Sequence, residues 1–191
     1  VGGAVAPVYN LPELDGQSQA LRLSMEILAG VYTCNITHWD HPSIRALNPG
    51  MNELPHTPIQ VVARADSSGT TDIFKRALAV ASPSLGMEAD VATSGGVADW
   101  TCAQGSDNFR FKEGSAGLAS SVLATPYSLG YLSYGPADTL GMNMAALASQ
   151  SGELAQLTLA TLSAALASTP LPPGLRLEGG EGSGISGTVS A

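Results

Sequence analysis

Apolar and polar stretches alternate along the chain in an order that predicts strands followed by helices. The strand candidates are short apolar or alternating runs bounded by Gly, Pro and polar residues: Val1–Val8, Leu21–Leu23, Ile59–Ala63 and Gly130–Tyr134. The helix candidates carry apolar residues at helical spacing: Met25–Ala29, Thr37–Asn48, Ile73–Val80, Gly114–Thr125 and Gly152–Ala167. Strands that alternate with helices predict an α/β fold, in which helices flank a mixed sheet.

Residues with known capping preferences mark the ends of several of these helices. Ser24 is a good N-cap for the first helix, and Gly30 predicts its end. Pro42 suits an early position of the second helix, and Pro83 predicts the end of the third. The stretch Ser84–Lys112 has no sustained period, so we expect irregular structure there.

The size and charge of the chain restrict its function. A chain of 191 residues corresponds to one domain, and a hydrophobic content of 44% excludes a disordered solvating chain. Eight basic and 16 acidic residues give a net charge of −8, which argues against nucleic acid or an anionic membrane as a partner. No apolar run reaches the roughly 18 residues of a membrane-spanning helix, so we expect no membrane insertion by this segment.

Composition divides the chain near residue 178. Residues 1–178 are predicted to form one domain, and the glycine-rich residues 179–191 are predicted to form a flexible tail or linker. The chain begins at Val1 rather than Met, which is typical of a processed protein or of a piece of a longer one.

Two features hint at a compartment outside the cell. Cys34 and Cys102 could form one disulfide in an oxidising compartment, or remain two buried thiols. Asn35 begins an Asn-Ile-Thr triplet, the acceptor pattern for N-glycosylation, although such triplets also occur by chance. Two cysteines alone cannot form a zinc site, and we expect no metal or cofactor.

The sharpest chemical feature is the Arg64–Thr70 loop, which joins a predicted strand to a predicted helix. A helix start exposes unpaired backbone N–H groups, and Gly69 would let a ligand approach them closely. Ser68 and Thr70 add hydroxyls, and Arg64 offers a planar fork that Asp66 could hold in place. The loop therefore suits a tetrahedral oxyanion, although an ordinary helix cap with a surface ion pair would use the same residue types.

The other candidate residues are more typical of structural roles than of metal binding, catalysis or ligand stacking. His38, Asp40 and His41 lie close together but are more typical of a capping or solvated cluster than of a metal site, and His56 is isolated in a Pro-rich loop. No histidine lies near Ser67 or Ser68 in sequence, so a nucleophile with its base is not indicated and we expect no enzyme. The large aromatic residues are predicted to be core rather than ligand-stacking surfaces; they include Tyr32, Trp39 and Trp100.

Several segments resemble the phosphate-binding proteins of bacterial ABC importers, the PstS family. The most specific is Arg64-x-Asp66-x-Ser68-Gly69-Thr70 between strand and helix. The others follow in the family's order: Val1–Pro12, Ile27–Asp40, Ala46–Gly50, Gly114–Leu118 and Thr125–Tyr134. The resemblance extends over roughly residues 1–170 and weakens after Tyr134.

The resemblance implies noncatalytic binding of inorganic phosphate or a similar oxyanion by a single lobe of a periplasmic-binding-protein-like fold. Arg64 would clamp ligand oxygens with Asp66 orienting it, while Ser68, Gly69 and Thr70 would donate hydroxyl and backbone N–H groups. The family has two lobes, and only the second is recognised here, so a second lobe or parent-protein domain is a further expected partner. An extracellular or periplasmic location follows. The alternative is a ligand-silent sensor or interaction module that keeps only the fold.

Overall fold

The computed structural model describes most of the first three quarters of the chain. The described residues are 4–16, 19–51, 54–83, 95–96 and 100–148, with the short segments 154–155, 176–178 and 188–190. Strands and helices alternate in the described part of residues 4–148, as the sequence pattern predicts.

The helices are α1 (Met25–Tyr32), α2 (Pro42–Leu47), α3 (Gly69–Ala81), α4 (Gly114–Ala124) and α5 (Tyr134–Thr139). The strands are β1 (Val5–Asn10), β2 (Arg22–Ser24), β3 (Gln60–Arg64), β4 (Phe109–Lys112), β5 (Ser128–Ser133), β6 (Asn143–Met144), β7 (Ala146–Ala148), β8 (Leu154–Ala155), β9 (Arg176–Glu178) and β10 (Thr188–Ser190).

A five-stranded mixed sheet forms the centre of the fold, in the order β4-β3-β5-β1-β6. Strands β4, β3 and β5 run parallel, whereas β1 runs antiparallel to both β5 and β6. A second sheet has the order β2-β7-β8, and β9 pairs with β10. The fold is therefore the predicted α/β arrangement, in which three parallel strands are each followed by a helix.

Helices cover both faces of the central sheet, and strand β5 shows which helix lies on which face. Gly130 faces α4, because a Cβ added there would lie 2.9 Å from Val122 Cγ2. Its neighbour Tyr131 points to the opposite face, where its ring stacks on Phe74 of α3 at 4.6 Å. Tyr32 of α1 packs edge-on against that same phenylalanine at 5.1 Å.

The predicted core aromatics are buried. Trp39 and Trp100 are 0% and 1% exposed, and Tyr32 is 1% exposed. The Trp100 and Tyr32 rings lie 4.6 Å apart, and Trp39 Nε1 donates a hydrogen bond of 3.0 Å to the carbonyl of Tyr127. These side chains fill the core and offer no ligand-stacking surface.

The predicted helix stop at Gly30 is wrong, because α1 continues to Tyr32. Gly30 instead allows close packing: a Cβ there would lie 2.8 Å from Ile36 Cδ1. The chain turns out of the helix at Cys34, two residues beyond Tyr32, where φ is a left-handed 60° and Asn35 N–H donates to the Gly30 carbonyl at 2.8 Å. This is a Schellman ending in which a cysteine takes the place usually held by glycine.

Three other segments differ from expectation. Helix α2 begins only at Pro42, because the preceding residues lead into a bridge between His38 and Pro58. Within the stretch predicted to be irregular, Phe109–Lys112 forms β4, with alternating aromatic and charged residues. Leu154–Ala155 pairs with β7, whereas the sequence predicts the start of a helix there; the rest of that predicted helix lies outside the described residues.

The predicted boundary at residue 178 stays a prediction. Arg176–Glu178 and Thr188–Ser190 pair as an antiparallel ribbon, with Glu178 opposite Thr188. The ribbon joins the last residues of the predicted domain to the predicted tail. The other residues of 179–191 lie outside the described part.

A buried asparagine joins the second sheet to α2. Asn48 is 3% exposed, and its amide group pairs with the backbone of Arg22 on β2, accepting from N–H at 2.8 Å and donating to C=O at 2.9 Å. It also donates to the Ile44 carbonyl at 2.8 Å. The side chain thus substitutes for a strand at the edge of β2.

A disulfide joins the end of α1 to the segment that follows Trp100. Cys34 and Cys102 are bonded, with their Cα atoms 5.9 Å apart, and they are separated by 68 residues in sequence. Closing a loop of that length removes conformational entropy from the unfolded chain.

We expect Asn48→Ala to lower the free energy of unfolding by about 2–3 kcal/mol, because the partly buried N–H and C=O of Arg22 and the buried Ile44 carbonyl lose the hydrogen bonds of the Asn48 side chain. Urea unfolding with a common m-value measures this loss. Asn35→Ala is the matched control, since Asn35 is exposed and its side chain bonds only Thr33 Oγ1 among the described residues. Equal losses in the two variants would contradict the role given to Asn48.

We expect reduction of Cys34–Cys102 to lower the free energy of unfolding by about 2–4 kcal/mol, mainly because the unfolded chain regains conformational entropy. Urea unfolding with and without dithiothreitol measures the effect. The Cys34→Ala/Cys102→Ala variant should have the same free energy of unfolding as the reduced protein, and dithiothreitol should not change it. A wild-type curve that reductant leaves unchanged would contradict this prediction.

Candidate functional site

The carboxyl ends of β3, β4 and β5 meet at one edge of the central sheet. Strand β3 ends at Arg64, opposite Lys112 at the end of β4, and β5 ends at Ser133. Each strand leads into a helix, α3, α4 or α5, whose first turn lies at this same edge. In open α/β sheets, this edge is where ligands bind.

Arg64 and Asp66 form the central pair of this edge. Arg64 Nε donates to Asp66 Oδ1 at 2.8 Å, and Arg64 Nη2 donates to Asp66 Oδ2. The Arg64 side chain is only 12% exposed, whereas that of Asp66 is 35% exposed. A two-point contact of this kind fixes the plane of the guanidinium.

The start of α4 holds both members of the pair. Gly114 N–H donates to Asp66 Oδ1 at 2.9 Å, and Arg64 Nη1 donates to Ser115 Oγ at 3.2 Å. The pair therefore links the loop after β3 to the loop after β4.

The pair shifts the ionisation of both groups. The hydrogen bonds from Arg64, and then that from Gly114 N–H, hold the pKa of Asp66 well below its usual range. The hydrogen bond to Asp66 in turn raises the pKa of Arg64. Both groups are therefore charged at neutral pH, and the carboxylate orients the guanidinium.

The first turn of α3, which follows this pair in the same loop, has backbone amides at its start. Ser68 caps the helix, because its Oγ accepts from Thr71 N–H at 3.3 Å. Within the part of the chain that the structure describes, no hydrogen bond occupies the N–H groups of Gly69 and Thr70. Gly69 is exposed, and a Cβ there would meet nothing within 4 Å. The amides remain open to an acceptor from outside the protein.

Hydroxyl groups on β5 connect the Arg64–Thr70 loop to the sheet. Tyr131 Oη accepts from Arg64 N–H at 3.3 Å and lies 2.7 Å from the buried Thr71 Oγ1. Thr70 Oγ1 lies 3.4 Å from Ser133 Oγ. The loop is therefore fixed by β5 as well as by α4.

The arrangement can bind an anion by directed N–H groups. A guanidinium has five N–H donors, and the contacts with Asp66 and Ser115 use three of them in the described structure. The other two N–H donors of Arg64 are not used by the described protein atoms, and the loop that begins at Arg64 leads directly into the first turn of α3. Because the Asp66 charge offsets that of Arg64, the attraction for an anion depends on donor direction and on the helix N-terminus.

The structure brings together the five residues that the sequence singles out, and it adds others from distant segments. The sequence does not single out Ser115, Tyr131 or Ser133 for this site. The signal for Ser115 was present, since Gly-Ser at the start of α4 mirrors Ser68-Gly69 at the start of α3. No local pattern indicated that Tyr131 and Ser133 would lie beside the loop.

The contacts described for the other candidate residues are with groups away from this edge of the sheet. Asn35 is exposed and its Nδ2 donates to Thr33 Oγ1 at 2.9 Å. His56 is not isolated: its Nδ1 lies 3.0 Å from Asp40 Oδ2, and its ring stacks on His38 at 4.8 Å. His41 caps α2. Among the described residues, no group of three or more His, Cys, Asp or Glu side chains could hold a metal ion.

Comparison with known proteins identifies relatives for most of the chain. The profile of a family described as "PBP superfamily domain" matches residues 1–175. The chain is 33% identical over 178 residues to the phosphate-binding protein PstS of Methanocaldococcus jannaschii, covering 89% of this chain and 43% of that protein. It is 34% identical over 167 residues to PstS of Pasteurella multocida, covering 87% and 45%. The chain thus spans less than half the length of these relatives.

Solved structures share the fold. A periplasmic phosphate-binding protein, PfluDING, solved with bound phosphate, superimposes with a TM-score of 0.64 at 24% identity, covering 91% of this chain and 45% of that one. A possible phosphate-binding protein from Planctomyces limnophilus gives a TM-score of 0.57 at 16% identity, covering 87% and 49%. The predicted lobe fold and the resemblance to phosphate-binding proteins are confirmed. None of the helices in the described ranges is long and apolar enough to cross a membrane.

We expect Asp66→Asn to destabilise the protein at neutral pH, with a difference from wild type that shrinks in acid. A carboxyl whose pKa is lowered by folding stabilises the fold above its unfolded pKa of about 4, and loses that contribution as the pH falls towards its folded pKa. Urea unfolding of both proteins at pH 7, 5 and 3 measures the difference. A gap that stays constant or widens in acid would contradict the ion pair.

Proposed function

Because the chain belongs to the PBP superfamily, we propose that it binds inorganic phosphate or a related tetrahedral oxyanion without catalysing a reaction. The relatives named phosphate-binding protein support phosphate as the first ligand to test. Arg64, Asp66, Ser68, Gly69 and Thr70 would form the binding site.

The observation that carries the proposal is the set of unoccupied N–H donors in the loop that also contains the oriented guanidinium. Two N–H groups of Arg64 and the amides of Gly69 and Thr70 are not occupied by the described protein atoms. Donors that are fixed before the ligand arrives lose little entropy on binding it. Asp66 would act through Arg64, by keeping the guanidinium in the plane that faces the ligand.

The net charge of −8 does not oppose this function. Charges more than about 8 Å from an exposed site are largely screened at physiological ionic strength, whereas hydrogen bonds act at contact distance. The negative charge would slow the approach of an anion more than it would weaken the bound state.

This lobe would cover the ligand from one side only, and the chain spans less than half the length of the relatives it matches. We therefore infer that a second lobe or a domain of the parent protein contributes to tight binding. The named relatives and the disulfide favour an extracellular or periplasmic location. An exposed Asn35 would be accessible to glycosylation in a host that carries out that modification.

We expect Arg64→Ala to weaken phosphate binding by about 1.5–3 kcal/mol, the contribution of hydrogen bonds to a charged group, or about 10- to 150-fold. Isothermal titration calorimetry of the folded chain measures the change. Arg110→Ala is the matched control, since it removes the same charge from β4 at an exposed position where Arg110 bonds Gln60. Equal weakening by both variants would indicate a general charge effect instead of a site.

A double variant separates the loss of donors from new repulsion. Arg64→Ala alone leaves the Asp66 carboxylate without its cationic partner, and that negative charge would repel phosphate. The Arg64→Ala/Asp66→Asn variant removes the repulsion but still lacks the Arg64 donors, so its phosphate binding should remain weakened. Sulfate, titrated in parallel, should bind similarly, because the carboxylate described at this site, that of Asp66, already accepts hydrogen bonds from Arg64 and Gly114 N–H and is not left to accept a proton from phosphate. A folded wild-type chain that binds neither anion at millimolar concentration would refute the proposal and favour a ligand-silent module.

A further inference from the structure

We propose that Gly95 is a positioning residue for the Arg64–Thr70 loop, an inference that rests on the proposed anion-binding function. Gly95 is 29 residues beyond Asp66 in the sequence, yet its backbone packs against the backbone of Ala65 and Asp66. A Cβ added to Gly95 would lie 2.3 Å from the Ala65 carbonyl oxygen, 2.6 Å from Asp66 C and 2.8 Å from Asp66 Cα.

The contact is between main chains, so no flexible side chain can move aside to relieve it. A carbon at 2.3–2.8 Å from backbone atoms requires a backbone shift in one of the two segments. Gly95 has a φ of +91°, a backbone conformation that residues other than glycine rarely adopt. Glycine therefore meets two requirements at this position, the left-handed turn and the close approach.

The Ala65–Asp66 segment has little freedom to retreat from Gly95. On β4, the Lys112 carbonyl accepts from Ala65 N–H at 2.9 Å. The Asp66 carboxylate is bonded to Gly114 N–H and to Arg64. The segment is thus held between β4, the start of α4 and Gly95, and a displacement of Asp66 would be passed to the guanidinium that it orients.

Two other glycines with positive φ allow the effect of close approach to be distinguished from the effect of backbone strain. Gly96 has a φ of +64°, but a Cβ there would lie 3.7 Å from the Ala65 carbonyl oxygen, an ordinary contact. Gly105 has a φ of +83° and open space around the Cβ position. Gly96→Ala and Gly105→Ala therefore carry the strain of a left-handed alanine without the clash.

The test compares Gly95→Ala, Gly96→Ala and Gly105→Ala by NMR without ligand and by calorimetry with phosphate. The Arg64 Nε–H resonance, assigned with Arg64→Lys, reports the orientation of the guanidinium independently of binding. We expect Gly95→Ala to shift this resonance and the amide resonances of Asp66 and Gly114, and to weaken phosphate binding at least tenfold. Gly96→Ala and Gly105→Ala should leave the Arg64 resonance in place and change affinity less than twofold.

Equal effects of the three variants on Arg64 and on affinity would overturn the positioning role. A selective shift of the Arg64 resonance in Gly95→Ala, in a protein whose wild type binds no phosphate, would support the positioning role and refute the proposed ligand. If Gly95→Ala does not fold, the wild-type protein decides: a nuclear Overhauser contact between the Gly95 and Asp66 Hα protons supports the proposal, and its absence overturns it.

Discussion

The carboxylate of Asp66 is the contact on which the geometry of the sheet edge depends. It accepts hydrogen bonds from Arg64 Nε, Arg64 Nη2 and Gly114 N–H, so one side chain joins two loops that are 48 residues apart. The pairing also makes it possible to keep a guanidinium at 12% exposure, since a nearly buried charge without a partner is strongly destabilising. The cost of burying Arg64 is thereby offset within the site itself.

The parts of the site that sequence could predict are those whose residues are neighbours along the chain. Arg64 and Asp66 are two residues apart, and Ser68 caps a helix that begins at the next residue, so strand, loop and helix signals suffice. Ser115 and Ser133 reach the same place only through the order of the strands β4-β3-β5. That order depends on the packing of whole faces, which no short motif encodes.

Helix α1 and strand β4 show why the boundaries of elements are harder to predict than the presence of most elements. Gly30 has the position and composition of a helix end, but its missing side chain makes room for Ile36 while the helix continues. Conversely, the turn that closes α1 uses a left-handed cysteine, Cys34, for which the sequence offers no signal. Strand β4 was missed because its four residues follow a stretch of Gly and polar residues, although aromatic and charged residues alternate in it.

The rigidity of the loop can be traced from the site into the core. Tyr131 contacts both, because its hydroxyl accepts from Arg64 N–H and its ring packs on Phe74 beside Tyr32 and Trp100. The two half-cystines each follow one of these aromatics by two residues, Cys34 after Tyr32 and Cys102 after Trp100. The disulfide therefore ties together the two segments that supply the packing around Tyr131. A lobe that enclosed a ligand from one side only could not gain affinity from full burial, so such a site would depend on donors that this packing holds in place.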